Sequence, residues 1–105
     1  MSLSFKSDVG LLGLSPQALV AIHTVYTCFA DLGRPCTVTS VTDGTHGRGS
    51  LHYAGFAVDF RTRDISLDEA QRLHQMASER LTPEFDIILE NTHLHVEWQP
   101  KEPAV

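Results

Sequence analysis

Cysteine is scarce in this chain: two occur in 105 residues, and they do not form a C-x-x-C pair. That argues against a disulfide-stapled mini-fold and against zinc held through sulfur. Cys28 falls in an apolar helical pattern and Cys36 opens a strand-like run, so both are expected as buried thiols rather than a disulfide or redox pair. No run of about 18 apolar residues exists, which excludes a membrane-spanning helix. Met1 to Gly10 has one lysine but no apolar core followed by a small-residue cleavage site. A protein synthesised in the cytoplasm without a signal peptide is therefore expected. Positive charge is also short, with eight Lys+Arg against thirteen Asp+Glu and a net charge of −5. The basic residues are scattered, Arg61 and Arg63 being the only close pair, so no nucleic-acid partner is expected.

What is present is ordinary globular composition, 42% hydrophobic and 20% charged, enough for one domain over residues 1–105 with one modest core. Residues 1–14 read as a loose lead-in with two glycines, and residues 99–105 as a polar, proline-containing tail. Ser15-Pro16 is a helix start, a hydroxyl cap followed by proline at the first helical position. Leu19, Ile22, Tyr26 and Phe29 then recur at helical spacing, with Val20, His23 and Ala30 beside them, until Gly33 and Pro35 end the helix. Cys36 to Thr42 is β-branched and reads as a strand, followed by a loop with three glycines, Asp43 to Gly49. Extended chain resumes at Phe56 to Arg61, where alternation puts Ala57, Asp59 and Arg61 on one face and Phe56, Val58 and Phe60 on the other.

Ser66-Leu67-Asp68-Glu69 has the form of a capping box. Its helix turns Ala70, Leu73, Met76, Ala77 and Leu81 inward, leaves His74 at the boundary, and stops at Thr82-Pro83. Phe85 to Glu90 and His93 to Trp98 are separated by two residues, which implies a β-hairpin. Glu90 and His93 then face each other, and alternation adds His95 and Glu97 to their side. Helix, strand, strand, helix, strand, strand describes an α+β domain: a small, mainly antiparallel sheet with two helices packed on it.

The chemistry lies in two stretches. His52 and Asp59 stand seven residues apart, and His95 closes the second polar cluster, Glu90 to Glu97. Two imidazoles and one carboxylate make a three-ligand set for a catalytic zinc, with the fourth position left open. Such a site needs a base, and Glu90 is the best placed carboxylate. His93 is either a ligand or a hydrogen-bonding group for the attacked carbonyl, and the second role leaves the site open. Glu97 reads as a supporting or surface residue. His46 is a candidate for polarising the substrate carbonyl or binding the substrate's carboxylate at the rim of the cleft, Arg48 and Arg61 are weaker ones for the same job, and Tyr53 is a candidate substrate contact. Ser50 has no acid–histidine relay and is expected to support a ligand by hydrogen bonding.

Ser50-x-His52-x-x-Gly55-x-Ala57-x-Asp59, followed by His93-x-His95, resembles the paired motif of the zinc D-Ala-D-Ala carboxypeptidases. That group includes L-alanyl-D-glutamate endolysins and the Hedgehog signalling domain. The likeness spans roughly Thr39 to Lys101, and the local run from Ser50 to Asp59 is especially close to Hedgehog. It implies zinc on His52, Asp59 and His95, with Glu90 as the catalytic glutamate. Many relatives carry that acid three residues before the second histidine ligand; here that position is Thr92, and Glu90 stands five before.

No acidic run like Hedgehog's calcium site occurs, which points to a bacterial or phage peptidase. The expected function is zinc-dependent hydrolysis of an amide in peptidoglycan stem peptides, by a monomer acting on the wall once released, of phage or prophage origin. The alternative is a catalytically silent, zinc-stabilised binding module of Hedgehog type.

Overall fold

The computed structural model describes residues 2–10, 15–44 and 55–98. Its elements in chain order are β1 (Leu3–Phe5), α1 (Pro16–Leu32), β2 (Cys36–Gly44), β3 (Gly55–Arg61), α2 (Leu67–Arg80), β4 (Phe85–Leu89) and β5 (His93–Trp98). The strands form one sheet in the order β1-β2-β3-β5-β4, antiparallel except for the β1–β2 pair. Two helices pack on this sheet, so the α+β expectation holds.

The first residues are not a loose lead-in. Leu3, Ser4 and Phe5 pair with Cys36, Thr37 and Val38, and the ladder is extended by Cys36 N–H donating to Ser2 O and Lys6 N–H to Val38 O, both at 2.8 Å. Three residues are too few for a period-two pattern to register, so this edge strand is set by its partner's free backbone groups rather than by its own sequence.

Both helices begin and end as their sequences dictate. Ser15 Oγ accepts from Ala18 N at 3.1 Å with Pro16 next to it. Gly33, at φ 73°, closes α1 with a Schellman pair: its N–H donates to Ala30 O and that of Arg34 to Phe29 O, each at 3.0 Å. Ser66 and Glu69 exchange the two hydrogen bonds of a capping box at 3.0 and 3.1 Å. Arg34 then grips Glu69 through two nitrogens, at 3.1 and 3.2 Å, joining the end of α1 to the start of α2.

The inward face of α2 is as expected, with Ala70, Leu73 and Ala77 buried, Leu81 buried beyond its end and Met76 packed at the edge of the core. His74 sits at the boundary, half-buried, and its Nε2–H donates to Ile87 O at 2.9 Å. The face of α1 is rotated from the expected stripe. Ala18, Ala21, Ile22, Val25, Cys28 and Phe29 are buried, whereas Leu19 is 54% and Val20 53% exposed, Tyr26 is half-buried, and His23 faces solvent. Small residues turned to the sheet let the helix backbone approach it closely, and bulk alone pointed to the wrong side. Both cysteines are free and buried, and burial pushes the Cys36 thiol up to about 12, so it is inert at neutral pH.

The sheet face under the helices carries Cys36, Val38, Phe56, Val58, Phe60, Leu94 and Val96, all buried. Its opposite face carries Thr37, Thr39, Ala57, Asp59, Arg61, His93, His95 and Glu97, all partly exposed. Truncating α1 tests its orientation. Ile22→Ala is expected to cost about 2–4 kcal/mol in urea unfolding, and Leu19→Ala no more than about 0.5 kcal/mol. Equal losses would place the helix on the other stripe.

Candidate metal centre

The site is built by strand register. In the β3–β5 pair, Ala57 lies opposite Glu97, Asp59 opposite His95 and Arg61 opposite His93. On the other edge of β5, Leu89 pairs with Leu94 and Glu90 N–H donates to His93 O at 2.8 Å, which closes the hairpin at Asn91-Thr92. Glu90 and His93 therefore face each other as the hairpin spacing required. Thr62 N–H donates to Thr92 O at 2.9 Å and fastens the turn to the end of β3.

Asp59, Glu90 and His95 each offer a ligand atom, and these atoms lie within 4.8 Å of one another. The imidazole of His95 is held on both sides: Nδ1–H donates to Asp59 Oδ1 at 2.7 Å and Nε2–H to Glu97 Oε1 at 3.1 Å. With both carboxylates ionised, the two bonds are made together only by a protonated ring, so this setting favours the imidazolium. Burial alone would lower its pKa, but hydrogen bonds to Glu97 and Asp59, with the charges of Asp59 and Glu90, outweigh burial and raise it above the ordinary value. The side chains remain open to ligand, with 22% of His95, 28% of Asp59 and 30% of Glu97 exposed.

This donor set fits a divalent cation. Three carboxylates around one imidazole are mutually repulsive, and a cation in place of the Nδ1 proton would relieve that repulsion while using the same atoms. Glu97 then keeps the other ring N–H, the usual arrangement by which a carboxylate orients a metal-ligating histidine. Glu97, read from the sequence as supporting or surface, is thus an orienting residue. Imidazole and carboxylate donors suit zinc and several other divalent ions.

Asp59, Glu90, His93 and His95 are brought together on one face. His93 shares a 2.7 Å hydrogen bond between its Nδ1 and Thr92 Oγ1 and is half-buried beside the cluster. The remaining candidates, His46, Arg48, Ser50, His52 and Tyr53, lie outside the described residues. Two supporting residues carried no signal in the sequence. Thr39 sits at a register shift between Val38 and Ser40 and its Oγ1 donates to Asp59 O at 3.3 Å; a bulge is visible only once the partner strand is placed. Thr62 is buried, and its backbone N–H donates to Thr92 O. No protein-family model matches the chain, and no curated protein matches its sequence.

Proton competition at His95 sets a pH dependence. Metal affinity is expected to fall as pH drops from 8, beginning above the free imidazole value of ~6.5 because the ring's pKa is raised. In the metal-free protein the sign reverses: the protonated ring adds stability below ~6.5, and this is lost as pH rises through the folded value. Chelator competition and urea unfolding from pH 5 to 9 read the two effects, and a flat affinity profile would remove His95 from the ligand set. Glu97→Ala is expected to weaken metal binding by about 10–100-fold, and an unchanged affinity would make Glu97 a bystander.

Proposed function

We propose that this protein is a zinc-dependent metallopeptidase that hydrolyses an amide bond in peptidoglycan stem peptides, of the D-Ala-D-Ala carboxypeptidase or endolysin type. The observation that carries the reading is the gathering of Asp59, His95 and Glu90 on the helix-free sheet face, with the far nitrogen of His95 on Glu97. It is supported by the likeness of Ser50 to Asp59 and His93-x-His95 to the paired peptidase motif. In this reading Asp59 and His95 would hold the ion together with His52. Bound zinc supplies Lewis-acid polarisation of the amide carbonyl and a lowered pKa for water at the site.

The chain's own groups do the rest. Glu97 would keep the His95 ring in one orientation through Nε2–H, leaving Nδ1 as the nitrogen that would hold the ion. Glu90 is exposed and lies beside the ligand atoms, where its carboxylate takes the proton of the attacking water and returns it to the leaving amine nitrogen. His93, on the rung next to His95, hydrogen-bonds the carbonyl oxygen as negative charge develops there. The domain would act on the wall once released, as a phage or prophage lysis protein does.

One observation favours the second reading, a silent zinc-stabilised module. Glu90 lies within ligand distance of Asp59 and His95, so it can serve as a ligand itself. With His52 it would complete four protein ligands and close the site to water and substrate.

Glu90→Gln separates the two. Zinc-loaded wild type and variant are incubated with purified peptidoglycan, and released termini are identified by mass spectrometry. The peptidase reading expects cleavage by wild type, a drop of about 10²–10⁴-fold in the variant, and unchanged zinc content. Loss of zinc in the variant, with no cleavage by fully loaded wild type, would establish the closed module instead.

A further inference from the structure

His93 is a ligand-type residue that stands next to the metal centre without joining it. It occupies the rung beside Asp59 and His95, on the same sheet face and opposite Arg61. Yet it is not among the three residues whose ligand atoms lie within 4.8 Å of one another. Its ring borders a recess of about 200 Å³ on this face, which Thr92 also lines. What the ring can do there depends on which nitrogen carries the proton, because a neutral imidazole donates from one and accepts at the other.

Thr92 is the group placed to decide this. Its Oγ1 stands 2.7 Å from His93 Nδ1, and its backbone is fixed independently of the ring. Thr62 N–H, on a buried residue just past the end of β3, donates to Thr92 O at 2.9 Å, and Glu90 N–H donates to His93 O at 2.8 Å. Both residues are thus held by a neighbouring strand. Threonine is also stiff about its first side-chain torsion, so the hydroxyl keeps its place beside the ring. Nδ1 is thereby occupied, and Nε2 is the nitrogen left for a ligand.

The direction of the bond follows from its partners. The Thr92 hydroxyl has no other hydrogen-bond partner among the described residues, and 2.7 Å suits its donating: O–H donors favour about 2.7–2.8 Å, whereas N–H donors favour about 2.9–3.0 Å. The flanking charges oppose each other. Arg61, opposite on β3, would draw a lone pair, and Glu90, across the hairpin, an N–H. The contact with Thr92 therefore decides, and with its O–H donating to Nδ1 the proton of the neutral ring sits on Nε2.

We propose that Thr92 is a positioning residue that holds His93 in the Nε2–H tautomer, so that the ring offers a proton to the substrate's carbonyl oxygen and no lone pair to the ion. The inference rests on the peptidase reading and deepens it. The sequence leaves His93 as either a ligand or a carbonyl donor, and the Thr92 contact selects the donor. In this state the ring cannot add a protein ligand, so it cannot close the site to water.

The zinc-loaded protein, labelled with the heavy nitrogen isotope, is measured at pH 8 by long-range proton–nitrogen correlation of its imidazoles. This separates protonated from unprotonated ring nitrogens, and His93→Gln identifies the His93 signals by their loss. Wild type is expected to carry the His93 proton on Nε2 alone. Thr92→Val, which keeps the branched shape without the hydroxyl, is expected to show the averaged signals of both tautomers. Its cleavage of purified peptidoglycan is expected to be about tenfold slower at unchanged zinc content, the scale of one lost hydrogen bond. Thr92→Ser is expected to restore both. A His93 proton on Nδ1 in wild type, zinc on His93 Nε2, or a valine-variant spectrum identical to wild type would overturn the proposal. Thr92→Ala takes the same measurement if the valine variant does not fold. Cleavage by wild type keeps the two readings apart. An Nε2–H ring without cleavage leaves the Thr92–His93 arrangement standing and sinks the peptidase, whereas cleavage with an Nδ1–H ring does the reverse.

Discussion

Everything at the candidate site depends on the pairing of β3 with β5 that sets Asp59 opposite His95. The same short strand that offers Asp59 and Arg61 to one face offers Phe56, Val58 and Phe60 to the other, and all three are buried under the helices. A slip of one residue would exchange the two sets, exposing three large apolar side chains and burying a carboxylate and a guanidinium. Burial of a side chain of this size contributes about 1.5–3 kcal/mol, so the core locks the register far more firmly than the site could. The site needs that help, because it gathers Asp59, Glu90 and Glu97 around a single imidazole.

Two compensations are open to that acidic group. Without a metal, a proton on His95 is the compensating charge, and hydrogen bonds to Glu97 and Asp59 with the charges of Asp59 and Glu90 raise its pKa despite partial burial. A divalent cation replaces that proton with a larger charge and draws on the same lone pairs. Protonation and metal binding are therefore competing occupants of one electrostatic hole, and Glu97 serves both by holding the second ring nitrogen. The surrounding backbone is positioned by groups that do no chemistry themselves: Thr62 N–H fastens the β4–β5 turn, and Thr39 Oγ1 reaches the carbonyl of Asp59.

Much of this was legible in the residues because local rules and the fold agree. Ser15-Pro16, Gly33 and the Ser66–Glu69 box mark helix ends through backbone groups that only those side chains satisfy. The two-residue gap after Glu90 implied a hairpin, and with it which of Glu90, His93, His95 and Glu97 would share a face. Where the reading failed, tertiary partners decided. Leu3–Phe5 became a strand because β2 had an open edge. The stripe of α1 turned because alanines and Cys28, rather than Leu19, allow close approach to the sheet. The bulge at Thr39 depends on two strands at once, and neither announces it alone, whereas Glu97 and His95 are neighbours on one face of β5 that alternation already paired.

Charge on the helix-free face is partitioned rather than mixed. Asp59, Glu90 and Glu97 surround His95, while Lys6, Arg61 and Arg63 surround the neighbouring hollow beside His93. In a chain of net charge −5, a stable surface alone would be served by interspersed pairs such as Arg34–Glu69, which this protein forms elsewhere. Here the two signs stand instead at neighbouring positions along one strand pair. The helix-free face thus sorts its charge by strand position, acids around His95 and bases around His93.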